Sequence, residues 1–264
     1  MGVLRSEGHS AGVSASERGR EIRLLSYNIR SLRDDPAAVA RVILDVAADV
    51  VCIQEAPRFL RWRAKCARLA RESGLYVVTG GRTAAGVLLL AALRVGVRWT
   101  RDIRLSHQPG LHHRGVALAG LEIAGRRFVV GSIHLGLDAA ERVRHVDEIL
   151  AIPEIAQPDG PVILAGDINE EPSGVAWQRL AARFTDAYAA AGVGSGETYS
   201  ARTPRSRIDA IFLGEGLTAV ECGVPEHPAI PRASDHRPVA AVLTLRDQTT
   251  APSSGSSGGS ARIR

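Results

Sequence analysis

Apolar positions along the chain fall into short runs of period two or unbroken greasiness, separated by stretches with helical spacing. The runs predict strands over residues 22–28, 50–54, 75–79, 87–93, 95–103, 115–123, 126–134, 161–167, 207–213, 217–222 and 239–245. Helical spacing predicts helices over residues 36–48, 57–73, 138–151 and 175–182. Asp35 stands as a cap before Pro36 in the first turn, and Gly74 is placed to stop the second helix. Ala124-Gly125 sits between two strand runs as a hairpin turn. Hairpins mixed with helices imply mixed sheets covered by helices, not a pure βαβ wind. Residues 1–20 have no periodicity and are expected to be a disordered tail; residues 247–264 are Ser/Gly-rich and are expected to be a flexible one. One domain over residues 21–246 is the simplest organisation of the 264-residue chain.

Composition narrows the class. The chain is 45% hydrophobic and 23% charged, an ordinary globular balance. The formal charge of +5 and a pI near 9.6 suit an anionic partner without requiring one. Cys52, Cys66 and Cys222 form neither a disulfide framework nor a zinc spacing. No apolar signal segment opens the chain, and the greasy stretch 84–97 is too short to span a bilayer. Stable membrane insertion is therefore not expected, and a cytoplasmic monomer is the default.

The chemistry lies at the ends of the apolar runs. They terminate in Asn28, Glu55, His134 and the pair Asp167 and Asn169; Asp209 opens a strand, and Asp235-His236 lies just before the last one. Each has a bland reading on its own: a turn residue, a helix-entry charge, a structural histidine. Together they would build a rim of carboxylates, amides and imidazoles where strand ends meet. Such a cup suits a hard cation, Mg²⁺ first and Mn²⁺ as a substitute, with positions left for substrate phosphate. Ser234-Asp235-His236 is no serine-hydrolase triad, because neighbours in an extended segment point to opposite sides. No G-x-S-x-G elbow and no P-loop are present.

Six segments in order carry a resemblance: Leu25-Ser-Tyr-Asn-Ile-Arg30, Asp49-Val-Val-Cys-Ile-Gln-Glu55, Ser132-Ile-His134, Gly166-Asp-Ile-Asn169, Arg207-Ile-Asp-Ala-Ile-Phe212 and Ser234-Asp-His-Arg-Pro238. Over residues 22–245 the chain resembles the endonuclease/exonuclease/phosphatase superfamily, the group of deoxyribonuclease I, neutral sphingomyelinases, poly(A) deadenylases and inositol polyphosphate 5-phosphatases. The resemblance implies an α/β (α+β) fold, a deoxyribonuclease I-like four-layer sandwich of two mixed β-sheets flanked by helices. It implies metal-dependent hydrolysis of phosphate esters by in-line attack of an activated water. By the same resemblance Glu55 is the main metal ligand, with Asn28 beside it and Asp235 assisting. Asp167 orients or deprotonates the water, Asn169 holds that water or a phosphoryl oxygen, and His236 contacts the phosphate with Asp209 on its other nitrogen. His134 donates to a non-bridging oxygen or helps the leaving group.

Departures narrow the substrate only partly. Ser132-Ile-His-Leu-Gly136 disfavours an abasic-site enzyme, and the run from Arg202 to Asp209 disfavours an inositol polyphosphate 5-phosphatase. Nuclease or general phosphodiesterase ranks first, with nucleic acid among the candidate substrates. A lipid or small-molecule phosphoesterase ranks second, and a binding module that kept the fold without the activity third. Arg202, Arg205 and Arg207, near the predicted cup, are the expected binders of further phosphates. The arginines from Arg58 to Arg71 read as a solvated helix face. Scattered aromatics (Tyr27, Trp62, Trp99, Trp177) show no stacking platform for single strands.

Overall fold

The computed structural model describes residues 21–246; the expectations for residues 1–20 and 247–264 lie outside the described residues. Two sheets stack face to face. The first has seven strands in the order β10-β12-β13-β1-β2-β4-β3. These are β1 (Glu21–Asn28), β2 (Val50–Gln54), β3 (Tyr76–Gly80), β4 (Leu88–Ala91), β10 (Gly192–Val193), β12 (Leu217–Gly223) and β13 (Val239–Leu245). The second has six strands in the order β5-β6-β7-β8-β11-β9. These are β5 (Gly96–Arg104), β6 (Gly115–Ile123), β7 (Arg126–His134), β8 (Val162–Asp167), β9 (Thr185–Asp186) and β11 (Asp209–Leu213). Both sheets mix parallel and antiparallel pairs.

Alternation along the strands explains the layering. Leu24, Val50 and Cys52 face the interior between the sheets with Ala117, Val130 and Ile163. Their neighbours Leu25, Val51 and Ile53 face outward onto helices α1 (Pro36–Val46) and α2 (Trp62–Glu72). On the far side, Val129, Leu164 and Phe212 pack with Val146 and Ile149 of α3 (Ala139–Leu150) and Trp177 of α5 (Val175–Ala181). Short helices α4 (Pro153–Ala156), α6 (Ala187–Ala191) and α7 (Ile230–Ala233), like β9 and β10, carry too few residues for a periodicity to be read. The result is the expected four-layer sandwich. No helix among the described residues is long and apolar enough to cross a membrane.

The expected helix over residues 57–73 is shorter. Arg61 adopts φ 57° and the helix starts only at Trp62, so residues 57–61 form a loop that carries Arg58 and Phe59 toward the site. Capping at Asp35 is as expected: its carboxylate accepts the Ala38 N–H at 3.0 Å. Asp35→Ala is expected to lower the urea midpoint of unfolding. A change indistinguishable from zero would show the cap to be idle.

Candidate active site

Strand register brings the polar termini together. β1 and β2 run parallel with Asn28 beside Gln54, so both strands leave the first sheet at one rim and Glu55 follows. β7 and β8 run parallel with His134 beside Asp167, and antiparallel β11 sets its first residue, Asp209, on the other flank of Asp167. Residues opposite one another on adjacent strands share a face, so His134, Asp167 and Asp209 form a row. β13 is antiparallel to β1 with Val239 opposite Ser26, which delivers Asp235 and His236 to the same rim. Carboxyl ends of parallel strands are where α/β folds commonly place ligands. Gly166 permits the tight β7–β8 approach: a Cβ there would stand 1.8 Å from the Ile133 carbonyl oxygen.

Asp167 is the hub. Its Oδ2 accepts from Asn28 Nδ2 across the two sheets at 2.9 Å, and its Oδ1 accepts the Asn169 N–H at 2.9 Å. His134 Nε2 lies 3.3 Å from Oδ2 and His236 Nε2 lies 3.7 Å from it. His236 Nδ1 meets Asp209 Oδ2 at 2.9 Å. The Asp209 N–H donates to Thr198 Oγ1 at 3.2 Å, while Asp209 Oδ1 is buried without a partner. Asn169 Nδ2 donates to the Leu135 carbonyl at 3.0 Å.

Burial and charge separate the protonation states. Burial first, then the Asp209 charge, pushes the Asp167 carboxyl up to about 7 against the pull of His236 and two hydrogen bonds. Burial opposes the His236 imidazolium, but the Asp209 charge and hydrogen bond, with Asp167 and Asp235, outweigh it and lift the group to about 10. His134 is driven the other way, well below its ordinary range, by burial and then by Arg114. Arg114 Nη1 lies 3.1 Å from His134 Nδ1, and a guanidinium can only donate. So Nδ1 accepts, and the Nε2 hydrogen of a neutral His134 points at Asp167. One carboxylate thus sits between a neutral and a charged imidazole.

These groups open on a cleft of ≈ 480 Å³ lined by Glu55, His134, Asp167, Asn169, Asp235 and His236 among others. Asn28 and Asp209 stand behind it, on Asp167 and His236 respectively. Left-handed backbone gathers here. Glu55 (φ 50°), Asn169 (φ 55°) and the run Arg30, Ser31, Leu32 (φ 45°, 56°, 58°) all depart from the usual region. Each costs on the order of 1–3 kcal/mol and persists where surroundings hold it; here the Ser31 N–H donates to the Glu55 carbonyl at 2.7 Å.

The donor set fits a hard divalent cation. Among the described residues the Glu55 carboxylate has no hydrogen-bond or ion-pair partner, though it faces the cleft. Asp235 is held by Arg30 Nε at 3.3 Å, and Asn28 Oδ1 accepts the Arg30 N–H at 3.1 Å, leaving a second lone pair. Ligand atoms of Asp167, Asp209 and His236 also lie within 4.8 Å of one another. That trio is the poorer cage, because a doubly protonated imidazole has no lone pair to give. Oxygen at Glu55, with Asn28 and Asp235 near it, is the better match to Mg²⁺ or Mn²⁺.

One expectation is corrected. Arg202, Arg205 and Arg207 do not line the cleft. Arg207 pairs with Asp186 at 2.8 Å and covers the Trp177 and Tyr188 rings at 4.6 and 5.0 Å, and Arg202 donates to the Pro231 carbonyl. Chain proximity to Asp209 misleads because the segment before β11 folds back on itself, with the Arg205 and Ser206 N–H groups donating to the Tyr199 carbonyl at 2.8 and 3.1 Å. Instead Arg30, Arg33, Arg58 and Arg114 reach the cleft. Nothing in the sequence marks Arg114 beyond its place just before a strand.

A profile of the Endonuclease/Exonuclease/phosphatase family matches residues 25–236. No curated protein sequence matches the chain. Among solved structures, an endonuclease/exonuclease/phosphatase from Bacteroides vulgatus superposes with TM-score 0.72 at 21% identity, covering 86% of this chain and 99% of that one. A mannosyl-6-phosphatase from Bacteroides thetaiotaomicron gives TM-score 0.73 at 17% identity, with coverage of 85% and 100%. TDP2 from D. rerio, complexed with single-strand DNA product, gives TM-score 0.67 at 19% identity, with coverage of 85% and 99%. At these identities the likeness speaks to the fold, and the profile match over most of the length speaks to descent: the chain belongs to the Endonuclease/Exonuclease/phosphatase family.

Proposed function

We propose that residues 21–246 form a divalent-metal-dependent phosphoesterase that attacks its ester in line with water, a nuclease or general phosphodiesterase first. The observation that carries the reading is Asp167, a buried carboxylate lifted toward neutrality and set between two imidazoles at the wall of a cleft. A general base works best with a pKa near the operating pH. Asp167 takes the proton of the attacking water, which Asn169 helps to orient. His236, charged and oriented by Asp209, donates through Nε2 to a phosphoryl oxygen as negative charge gathers there. His134 donates its single Nε2 hydrogen. Glu55, with Asn28 and Asp235, would hold a divalent cation, and that ion would supply charge stabilisation at the phosphoryl group. Solved relatives include a sugar phosphatase as well as a protein bound to DNA product, so a small-molecule ester is the second reading.

Hydrolysis of bis-p-nitrophenyl phosphate and p-nitrophenyl phosphate with Mg²⁺, Mn²⁺ or EDTA tests this. Turnover is expected with either cation and not with EDTA, and faster on the diester. Activity that survives EDTA overturns the metal requirement; a monoester preference moves the second reading to first. Within the site, His236→Ala is expected to lose about 10²–10³-fold in kcat, as for a donor to developing charge. Asp209→Ala is expected to lose about 10–100-fold, as for a partner that acts through another residue. The reverse order contradicts the roles.

A further inference from the structure

Arg114 is the one arginine buried among the described residues, 8% exposed, and no carboxylate lies within ion-pair distance of it. Other partly buried guanidinia are matched: Arg142 to Glu170 at 3.2 Å and Arg207 to Asp186 at 2.8 Å. Arg114 spends one N–H on His134, while its Nε is buried with no partner. Asp167, Glu55 and Glu141 help to hold its charge from a distance, against burial and the like charge of Arg58. A desolvated charge without a counter-ion is costly unless a ligand supplies one.

Arg58 stands beside it on the cleft wall. Its Nη1 donates to the Ala85 carbonyl at 3.2 Å, and its stem crosses Gly86 so closely that a Cβ there would meet Arg58 Cδ at 2.8 Å. Ala84, next in that turn, has its carbonyl oxygen 2.8 Å from a Cβ built on Gly115, the residue after Arg114. One tight turn therefore holds both arginines on the same wall. Exposed His112 lines the cleft with them. The two guanidinia do not repeat the work of His134 and His236, which meet Asp167 directly. The cleft volume of ≈ 480 Å³ is that of a site for a molecule much larger than one phosphate.

We propose that Arg114 and Arg58 form a second anion subsite, which takes a further phosphate group of the substrate next to the scissile one. This rests on the phosphoesterase reading and names its substrate class: an ester that carries another phosphate beside the reacting bond. Planar forked donors suit such a group, and each charge-assisted contact is strong enough to matter.

The test separates the subsite from the activity. Calorimetry in EDTA compares pyrophosphate with orthophosphate on the wild-type chain, Arg58→Ala, Arg114→Gln and, as a charge control, Arg68→Ala on the exposed face of α2. The wild type and Arg68→Ala are expected to prefer pyrophosphate about tenfold, and Arg58→Ala and Arg114→Gln to bring that ratio near one. Should Arg114→Gln unfold in a melt, Arg58→Ala alone decides. Kinetics then compare a thymidine dinucleotide with its 5′-phosphorylated form. The wild-type KM is expected to be about tenfold lower for the phosphorylated form, and Arg58→Ala is expected to erase the difference. Equal binding of both anions by the wild type, or a preference kept in Arg58→Ala, overturns the subsite. A preference lost in Arg58→Ala without turnover of either dinucleotide leaves the subsite standing and overturns the nuclease reading.

Discussion

Asp167→Asn is expected to lower kcat by about 10³–10⁴-fold, toward the upper end of what a positioned general base contributes. The change is nearly isosteric and leaves an oxygen to accept the Asn169 N–H. What it removes is the capacity to take a proton. The pH profile sharpens the expectation. Burial and the Asp209 charge raise Asp167 to about 7, so the working carboxylate forms as pH rises through that region. Activity should therefore climb with pH, with its half-point at or below about 7, because a nearby cation would favour the ionised form and shift the limb down. His236, lifted to about 10, stays charged across this range and sets no limb there. Steady-state rates from pH 5 to 9 on both proteins check this. A mutant that keeps wild-type turnover, or one that keeps the rising limb, removes Asp167 from the role of base.

Much of this is legible in the amino-acid sequence. Apolar runs ending in Asn28, Glu55, His134 and Asp167 foretell a rim, because strands that end together must meet together. Their sharing one row could not be read, since it depends on pairings such as His134 with Asp167 and Asp209 with Asp167 across long sequence separations. Local spacing failed where one backbone angle decided: Arg61 in the left-handed region cuts a helix short and frees Arg58 and Phe59 for the cleft. It failed again at the arginines. Sequence neighbours of Asp209 looked poised for phosphate, yet Arg207 turns to Asp186 and two aromatic rings. Arg114 stands outside the motifs that mark the site and reaches His134 because β6 pairs with β7 beside the row. Charge counts cannot reveal which guanidinium will be buried without an anion.

Glu55→Gln carries the metal claim. The substitution keeps the side chain's length and one oxygen but removes the charge and replaces the other oxygen with an amide nitrogen that cannot ligate. The Glu55 carboxylate has no hydrogen-bond or ion-pair partner among the described residues and acts only at a distance on Arg30 and Arg114, so the fold depends little on that charge. The backbone at φ 50° is equally open to glutamine. A half-buried carboxylate that faces a cleft on a strained backbone, with no direct hydrogen bond or ion pair and only the distant charges of Arg30 and Arg114 to answer it, is poorly explained by stability, since natural chains readily lose such costs. It is well explained by a cation. Turnover should fall on the order of 10²–10³-fold, and calorimetric Mn²⁺ binding should weaken with it while the melting temperature without metal barely moves. Asp235→Asn should weaken Mn²⁺ less, because Arg30 already neutralises part of that charge at 3.3 Å. Full activity in Glu55→Gln would leave the cation without its principal ligand. Unchanged Mn²⁺ binding with lost activity would instead move the cation toward Asp167 and its neighbours, where a protonated His236 makes a poor host.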